Sequence, residues 1–225
     1  MSIITQIQNA FNEVTRPLPD LSQEPLSVEI VAEAKLPTRY GHFRIVAFRN
    51  NKDHKDHVAL IHGDVNGAEN VPTRLHSECL TGDVFGSLRC DCRQQLEVAL
   101  EQLGDLECGL ILYMRQEGRG IGLANKIAAY ALQDTGLDTV EANYHLGFDD
   151  DLREYDVAAR MFDLLGVESV NLMTNNPKKI IGLHGYGLNV VERVPIEVVP
   201  SDRNRGYLMT KRDKLGHWLE ALERV

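Results

Sequence analysis

The sequence predicts a mixed α/β protein bordering on α+β, with an antiparallel β meander in its N-terminal half joined to α/β layers. Three observations carry this. From Val28 to His76, short runs rich in β-branched and aromatic residues alternate with turn chemistry. From Leu96 onward, apolar residues recur at helical spacing, interrupted by short apolar runs that read as strands. Strands alternating with helices are the pattern of layered α/β architecture.

Taken in order, Ser2 to about Val14 set Ile3, Ile4, Ile7, Phe11 and Val14 at helical spacing behind a serine that can cap. The proline-rich stretch from Arg16 to Pro25 reads as an extended linker, because each proline removes a donor and restricts its predecessor. Residues 1–27 are therefore an appendage, and 28–225 a single domain. Strand-like runs follow at Val28–Ala34, Phe43–Phe48, Val58–His62 and Thr73–His76, with turn chemistry at Asn50–His57 and Asn66-Gly67. His54 and His57 read as a charged surface loop and His62 as a strand end. Leu96, Ala99, Leu100 and Leu103 predict a helix, and Cys108–Tyr113 a buried strand whose cysteine is a core thiol.

The next turn, Arg115-Gln-Glu-Gly-Arg-Gly-Ile-Gly-Leu123, leads into a helix over about 124–133. Strand, glycine-rich turn and helix together offer N–H groups to an anion. The glycine spacing matches neither the dinucleotide-binding fingerprint nor a P-loop. A polar stretch from Thr139 to Tyr155 precedes a helix through Leu165. Val170–Thr174 reads as a strand leading to Pro177 in the first turn of a helix, where its missing N–H costs nothing. Lys178 and Lys179 give that helix start an anion-seeking character. Val190–Val194 and Ile196–Val199 read as strands, and Tyr207–Leu222 as a closing amphipathic helix.

With 225 residues, 43% hydrophobic and 25% charged, the chain is ordinary for a soluble globular protein. A net charge of −9 argues against a nucleic-acid partner, which demands a basic face, but leaves room for one small anion held by clustered cations. No apolar run reaches membrane-spanning length, and no signal peptide is expected at the N-terminus. The expected setting is the cytoplasm, where thiols stay reduced and four cysteines point to metal or catalysis before disulfides.

Three of those cysteines lie between Arg74 and Gln95 in the spacing C-x10-C-x-C. Cys79, Cys90 and Cys92 can direct thiolates at one cation, and three thiolates plus water suit a catalytic zinc. The competing reading, small buried hydrophobes, fits this polar, glycine-containing neighbourhood less well. Cations (Arg74, Arg119, Arg153, Lys178, Lys179) and carboxylates (Glu78, Glu117, Asp151) complete a set suited to a triphosphate. The residues alone thus describe a zinc hydrolase acting on a nucleotide.

His-Ser-Glu-Cys-Leu-Thr-Gly-Asp, Leu-Arg-Cys-Asp-Cys, Arg-Gln-Glu-Gly-Arg-Gly-Ile-Gly-Leu, Thr-Asn-Asn-Pro-Lys-Lys and Val-Glu-Arg-Val-Pro together resemble the GTP cyclohydrolase II family of riboflavin biosynthesis, over about Val31 to Trp218. The resemblance implies a GTP cyclohydrolase II-like fold, with 28–225 as the catalytic domain. It implies hydrolysis of GTP to 2,5-diamino-6-ribosylamino-4(3H)-pyrimidinone 5′-phosphate, formate and diphosphate. It also implies one zinc per subunit, magnesium and a homodimer. Cys79, Cys90 and Cys92 match the zinc ligands. Arg74, Leu75, His76, Ser77, Glu78, Gln95, Glu117, Gly118, Arg119, Thr139, Thr174 and Lys179 match GTP-contacting positions. Glu117 is suited to the N1–H and 2-amino edge of guanine. Tyr130 matches a tyrosine near the zinc. Asp151 and Arg153 match a proton acceptor and an arginine that attacks the α-phosphorus, although a permanently protonated guanidinium is equally a phosphate clamp. Two rivals are a relative stopping at a formylated pyrimidine and a non-catalytic, zinc-containing nucleotide-binding regulator. A fused dihydroxybutanone phosphate synthase domain is not expected, since the residues before Val28 are too few for one.

Overall fold

The computed structural model describes residues 25–223. The predicted N-terminal helix and nearly all of the linker lie outside the described residues. Strands β1 (Val28–Thr38), β2 (Gly41–Asn50), β3 (His57–His62), β4 (Val71–Ser77), β5 (Gly109–Met114), β6 (Ser169–Met173) and β7 (Asn189–Val194) are joined by six α-helices. These are α1 (Cys92–Gly104), α2 (Gly122–Gln133), α3 (Thr139–His145), α4 (Asp156–Leu164), α5 (Pro177–Gly185) and α6 (Arg205–Asp213).

Among the described residues the seven strands form one mixed sheet, in the order β1-β2-β3-β5-β4-β6-β7. The first three run antiparallel, as the meander predicts, and β3 pairs antiparallel with β5. The fourth strand departs from that expectation: β4 pairs parallel with β5 and with β6. A parallel neighbour needs a crossover rather than a hairpin, and the chain between β4 and β5 is long enough to hold α1. β5 thereby becomes the centre of the sheet, which is why its sequence is almost continuously apolar.

The pleat divides the core. Leu110, Leu112 and Met114 of β5 face one side with Val157, Ala158, Met161 and Phe162 of α4 or beside it, whereas Ile111 faces the other with Ala99 and Leu103 of α1. Both faces are dry, so the polar groups collect at the strand ends.

Four local expectations give way. The polar stretch after Thr139 contains α3, whose start is a capping box: Asp138 accepts from the Val140 and Glu141 N–H groups, and Glu141 accepts from the Asp138 N–H. Ile196–Val199 is not a strand. Its Ile196 backbone pairs instead with the Asn175 side chain, at 3.0 Å for the N–H and 2.7 Å for the carbonyl. The closing helix stops at Asp213, and Gly216 at φ +68 turns the chain before a short 3-10 turn, Glu220–Glu223. His57 opens β3 fully buried, its Nδ1 accepting from the Arg115 N–H at 3.0 Å, while His54 is exposed as expected.

Candidate active site

β4 delivers the site. Beyond Ser77 the chain enters a wide turn, Leu80–Val84, closed by the Asp83 N–H on the Cys79 carbonyl at 2.6 Å and the Gly86 N–H on Gly82 at 3.0 Å. Cys79 lies at the entrance of this turn, and Cys90 and Cys92 at the head of α1. Their three Sγ atoms lie within 4.8 Å of one another, with Cys79 and Cys90 3.7 Å apart. Ligands at a zinc–sulfur distance of about 2.3 Å in a tetrahedron would stand about 3.8 Å apart. The cradle therefore fits such a cation.

Charge makes the same argument. Hydrogen bonds from Cys90 and Cys92 pull the Cys79 thiol far down, whereas the Cys79 thiolate pushes Cys90 up to about 11 and Cys92 well above its ordinary value. Two like charges at 4 Å repel by about 4 kcal/mol at an effective dielectric of 20, so three thiolates need a cation among them. Cys108 stands apart, packed against the core as a thiol should be.

Gly82 faces the three cysteines, and a Cβ there would lie 2.9 Å from Cys90 Sγ, 3.1 Å from Cys79 Sγ and 3.2 Å from Cys92 Cβ. Gly82→Ala is expected to weaken metal affinity by roughly tenfold to a hundredfold, the range seen when a supporting shell is disturbed. Competition against a chelating dye checks this.

The Asp83 carboxylate accepts from the Cys79 N–H at 2.9 Å, the Tyr113 hydroxyl at 2.8 Å and His76 Nε2 at 3.1 Å. Since a carboxylate only accepts, His76 carries its proton on Nε2 and leaves Nδ1 a buried acceptor with no protein partner. The thiols are also tied to α2. Lys126 Nζ donates to Cys79 Sγ at 3.1 Å and to Glu117 Oε1 at 2.6 Å. One helical turn on, the Tyr130 hydroxyl is 3.2 Å from Thr81 Oγ1, itself 3.7 Å from Cys79 Sγ. Glu117 also accepts from the Leu80 and Gly118 N–H groups, so three of its roughly four acceptor positions are taken. Gly118 and Arg119, at φ +62 and +59, turn the chain sharply after it. A left-handed arginine is uncommon and is held here by a bond from the Leu152 N–H to its carbonyl, at 3.0 Å.

From this corner a cleft of about 1090 Å³, counting its open mouth, runs past the ends of β4 and β6. It is lined by Arg74, His76, Ser77, Glu78, Gln95, Glu117, Gly118, Arg119, Tyr130, Thr139, Arg153, Thr174 and Lys179 together with the three cysteines. Two residues named from sequence stand behind it. The Leu75 side chain is in the core and only its carbonyl is used, accepting from Lys179 Nζ at 2.6 Å. Asp151 holds Arg153 bidentately, at 2.8 and 2.6 Å. Lys178 turns outward to Asp150, at 2.7 Å.

The cations of the cleft divide into two kinds. Arg153 is paired with Asp151 and Lys211 with Asp91, each at 2.6 Å. Arg74, Arg119 and Lys179 have no carboxylate within ion-pair distance among the described residues. Arg74 donates to the Met173 carbonyl at 2.8 Å and to Gln95 at 2.6 Å, leaving its Nε without a protein partner. Burial pulls Arg74 down to about 10, and burial with Arg74 and Arg153 nearby pulls Lys179 well below its ordinary value. Burying unpaired charge is costly, and a polyanion relieves that cost.

Sequence reasoning missed Lys126, Asp91, Lys211, Tyr207 and His217. Lys126 was within reach, as the one cation of an alanine-rich helix, four residues before Tyr130. The others had no local signal. His217, among Lys211, Arg153, Arg119 and Lys179, is driven down to about 2 by burial and by those charges, and burial lowers His76 as well. Below about pH 6.5 the unfolded chain binds protons that these rings refuse. Stability should therefore fall as pH drops below that value, by up to about 1.4 kcal/mol per unit for each ring. Urea midpoints at pH 7.5 and 5.5 read this, and His217→Gln removes one ring's share, which metal loss would not.

The fold and the site define a protein with a cleft of cations, three of them without counter-ions among the described residues, beside a group of three cysteines that could hold a metal ion. The chain belongs to the GTP cyclohydrolase II family, whose model matches residues 29–195. It is similar to the riboflavin biosynthesis protein RibBA of Endomicrobium trichonymphae, with 54% identity over 85% of this chain and 48% of that protein. RibBA of Bacillus cereus strain ATCC 14579 is 55% identical over 84% of this chain and 47% of its own. That of Bacillus cytotoxicus is 56% identical over 83% and 47%. The chain thus spans about half the length of these relatives. RibBX of A. baumannii, a solved two-domain 3,4-dihydroxy-2-butanone 4-phosphate synthase, aligns over 77% of this chain and 42% of its own. Its TM-score is 0.42 and its identity 20%.

Proposed function

We propose that this chain hydrolyses GTP to 2,5-diamino-6-ribosylamino-4(3H)-pyrimidinone 5′-phosphate, formate and diphosphate, as the GTP cyclohydrolase II reaction of riboflavin biosynthesis. The observation that carries this is one cleft with a three-thiol cradle at one end and Arg74, Arg119 and Lys179 without counter-ions along it. The base lies toward the cysteines and the phosphates along the cations, with Ser77, Glu78, Gln95, Thr139 and Thr174 filling the wall between them.

Cys79, Cys90 and Cys92 would hold zinc, which supplies Lewis-acid activation of water at the ring carbon to be opened. Tyr130, through Thr81, is placed to move a proton at that end. Glu117 keeps one acceptor position for the guanine edge, and Lys126 fixes its orientation at 2.6 Å. Leu75 contributes its backbone. At the phosphate end Arg153 is read as a clamp. Burial works against its charge, but the bidentate Asp151 outweighs burial and raises its pKa, which keeps the guanidinium protonated and not nucleophilic. Asp151 orients Arg153. Magnesium has no cluster of its own among the described residues, and phosphate oxygens supply most of its ligands.

The same proposal takes residues 28–225 as the catalytic domain, 1–27 as an appendage, a homodimer as the assembly and the cytoplasm as the setting. The outer strand β1, exposed over most of its length with Ile30 and Val31 each 44% exposed, is an edge that pairing would cover. Among the described residues no helix is long and apolar enough to cross a membrane.

Purified protein given GTP and magnesium should release formate and diphosphate in equal amounts, lose both with a zinc chelator and regain both with zinc. Diphosphate without formate would assign the formylated-pyrimidine variant. Neither product, with the nucleotide bound intact, would assign the regulator.

A further inference from the structure

The family match ends at residue 195, yet the cleft is also lined by Tyr207, Lys211 and His217 from the segment beyond it. We propose that this segment, residues 205–219, is the wall that grips the distal phosphates through Tyr207 and His217, with Lys211 fixed beside them by Asp91. It thereby sets how strongly a triphosphate is preferred over a monophosphate. The inference rests on the guanosine-triphosphate reading above.

Two observations point to a ligand. The Tyr207 hydroxyl and the His217 ring have no hydrogen-bond partner within the described protein, although both line a cleft rich in cations. Lys211 reaches the buried Asp91 at 2.6 Å, and its ammonium lies 4.6 Å from the centre of the Tyr207 ring. Asp91 in turn accepts from Gln95 at 2.6 Å, and Gln95 accepts from Arg74. The segment thus extends the cation row begun by Arg74 and Lys179. The hydroxyl and the ring N–H are donors suited to phosphate oxygens, and the Lys211 ammonium, tied to Asp91, positions the wall that carries them.

The way the segment is attached supports the same role. Leu208, Leu219 and Leu222 form a small cluster of their own with Tyr207, joined to neither face of the sheet. The ties to the body are largely polar: Lys211 to Asp91, Lys214 to Glu141 at 3.0 Å, and the Trp218 N–H to the Asn175 carbonyl at 2.9 Å. Asn175 directly precedes Asn176, which caps the helix that carries Lys179. A segment with few buried apolar contacts opens at low cost, and a ligand bridging it to Lys179 would hold it shut.

Trp218 is the single tryptophan of the chain, so its emission reads this segment alone. The full-length zinc-loaded protein is titrated with an α,β-methylene guanosine triphosphate analogue and with guanosine monophosphate, following Trp218 fluorescence and, in parallel, calorimetric binding. Expected are a Trp218 response to the analogue and none to the monophosphate, with both bound. Tyr207→Phe and His217→Ala, each checked for native circular dichroism, should weaken analogue binding by roughly tenfold to a hundredfold. Monophosphate binding should stay within about twofold. A silent Trp218 with the analogue bound, unchanged analogue affinity in both variants, or equal weakening of both nucleotides would overturn the inference. Absence of binding by either nucleotide to the wild type would instead remove the substrate reading, and this inference with it.

Discussion

Cys92→Ser should take bound zinc from one per chain to none and lower formate release by about a thousandfold or more, some 4 kcal/mol in the activation barrier. Two thiolates hold a divalent ion far more weakly than three, and the hydroxyl of serine does not ionise in this setting. Stability should move with it. A ligand that binds only the folded state contributes about 2.7 kcal/mol at a hundred times its dissociation constant. Added zinc should therefore raise the melting temperature of the wild type and leave Cys92→Ser where it is. Elemental analysis and a thermal melt decide the matter. Retained zinc with retained activity would return the three cysteines to the status of buried hydrophobes.

Lys126→Met has the next largest expected effect, and no motif announces it. Lys126 is 8% exposed, and its ammonium sits between Glu117 Oε1 and Cys79 Sγ. The carboxylate and the thiolate raise its pKa against burial, so it stays charged. Removing it strands Glu117 as a buried, half-satisfied carboxylate, at a cost of about 3–5 kcal/mol of stability. It also takes a hydrogen bond from a metal ligand, and catalysis should fall by about a hundredfold. Much of the stability loss is the orphaned charge and not the pair itself. Lys126→Met combined with Glu117→Gln should therefore be more stable than Lys126→Met alone. Urea unfolding of the two single variants and the double variant reads the coupling, and strict additivity would count against this account.

The fold was legible where burial leaves a periodic trace. Val157, Ala158, Met161 and Phe162 repeat at helical spacing because one face of α4 packs on the sheet, and Leu110 to Leu112 are all apolar because β5 is covered on both faces. It was illegible where the deciding contact is remote. Nothing in Thr73–His76 tells an antiparallel neighbour from a parallel one. Nothing in Ile196–Val199 shows that Asn175 will take the backbone groups a strand would have paired. The capping box of α3 could have been read, and the polar stretch around it obscured it.

Within the site, the sequence alone marked the three cysteines, because Cys79, Cys90 and Cys92 lie within one short polar stretch. It also pointed to an anionic ligand, since Arg74, Arg119, Arg153, Lys178 and Lys179 are grouped near predicted turns and helix starts in a chain of net charge −9. Only the tertiary structure decided which cations are free to meet an anion. Lys178 and Lys179 are neighbours in the chain, yet one is spent on Asp150 at the surface and the other is buried without a counter-ion. Pairing depends on carboxylates far away in sequence, as Asp91 and Lys211 show. Those distances are set by the sheet, not by the order of residues.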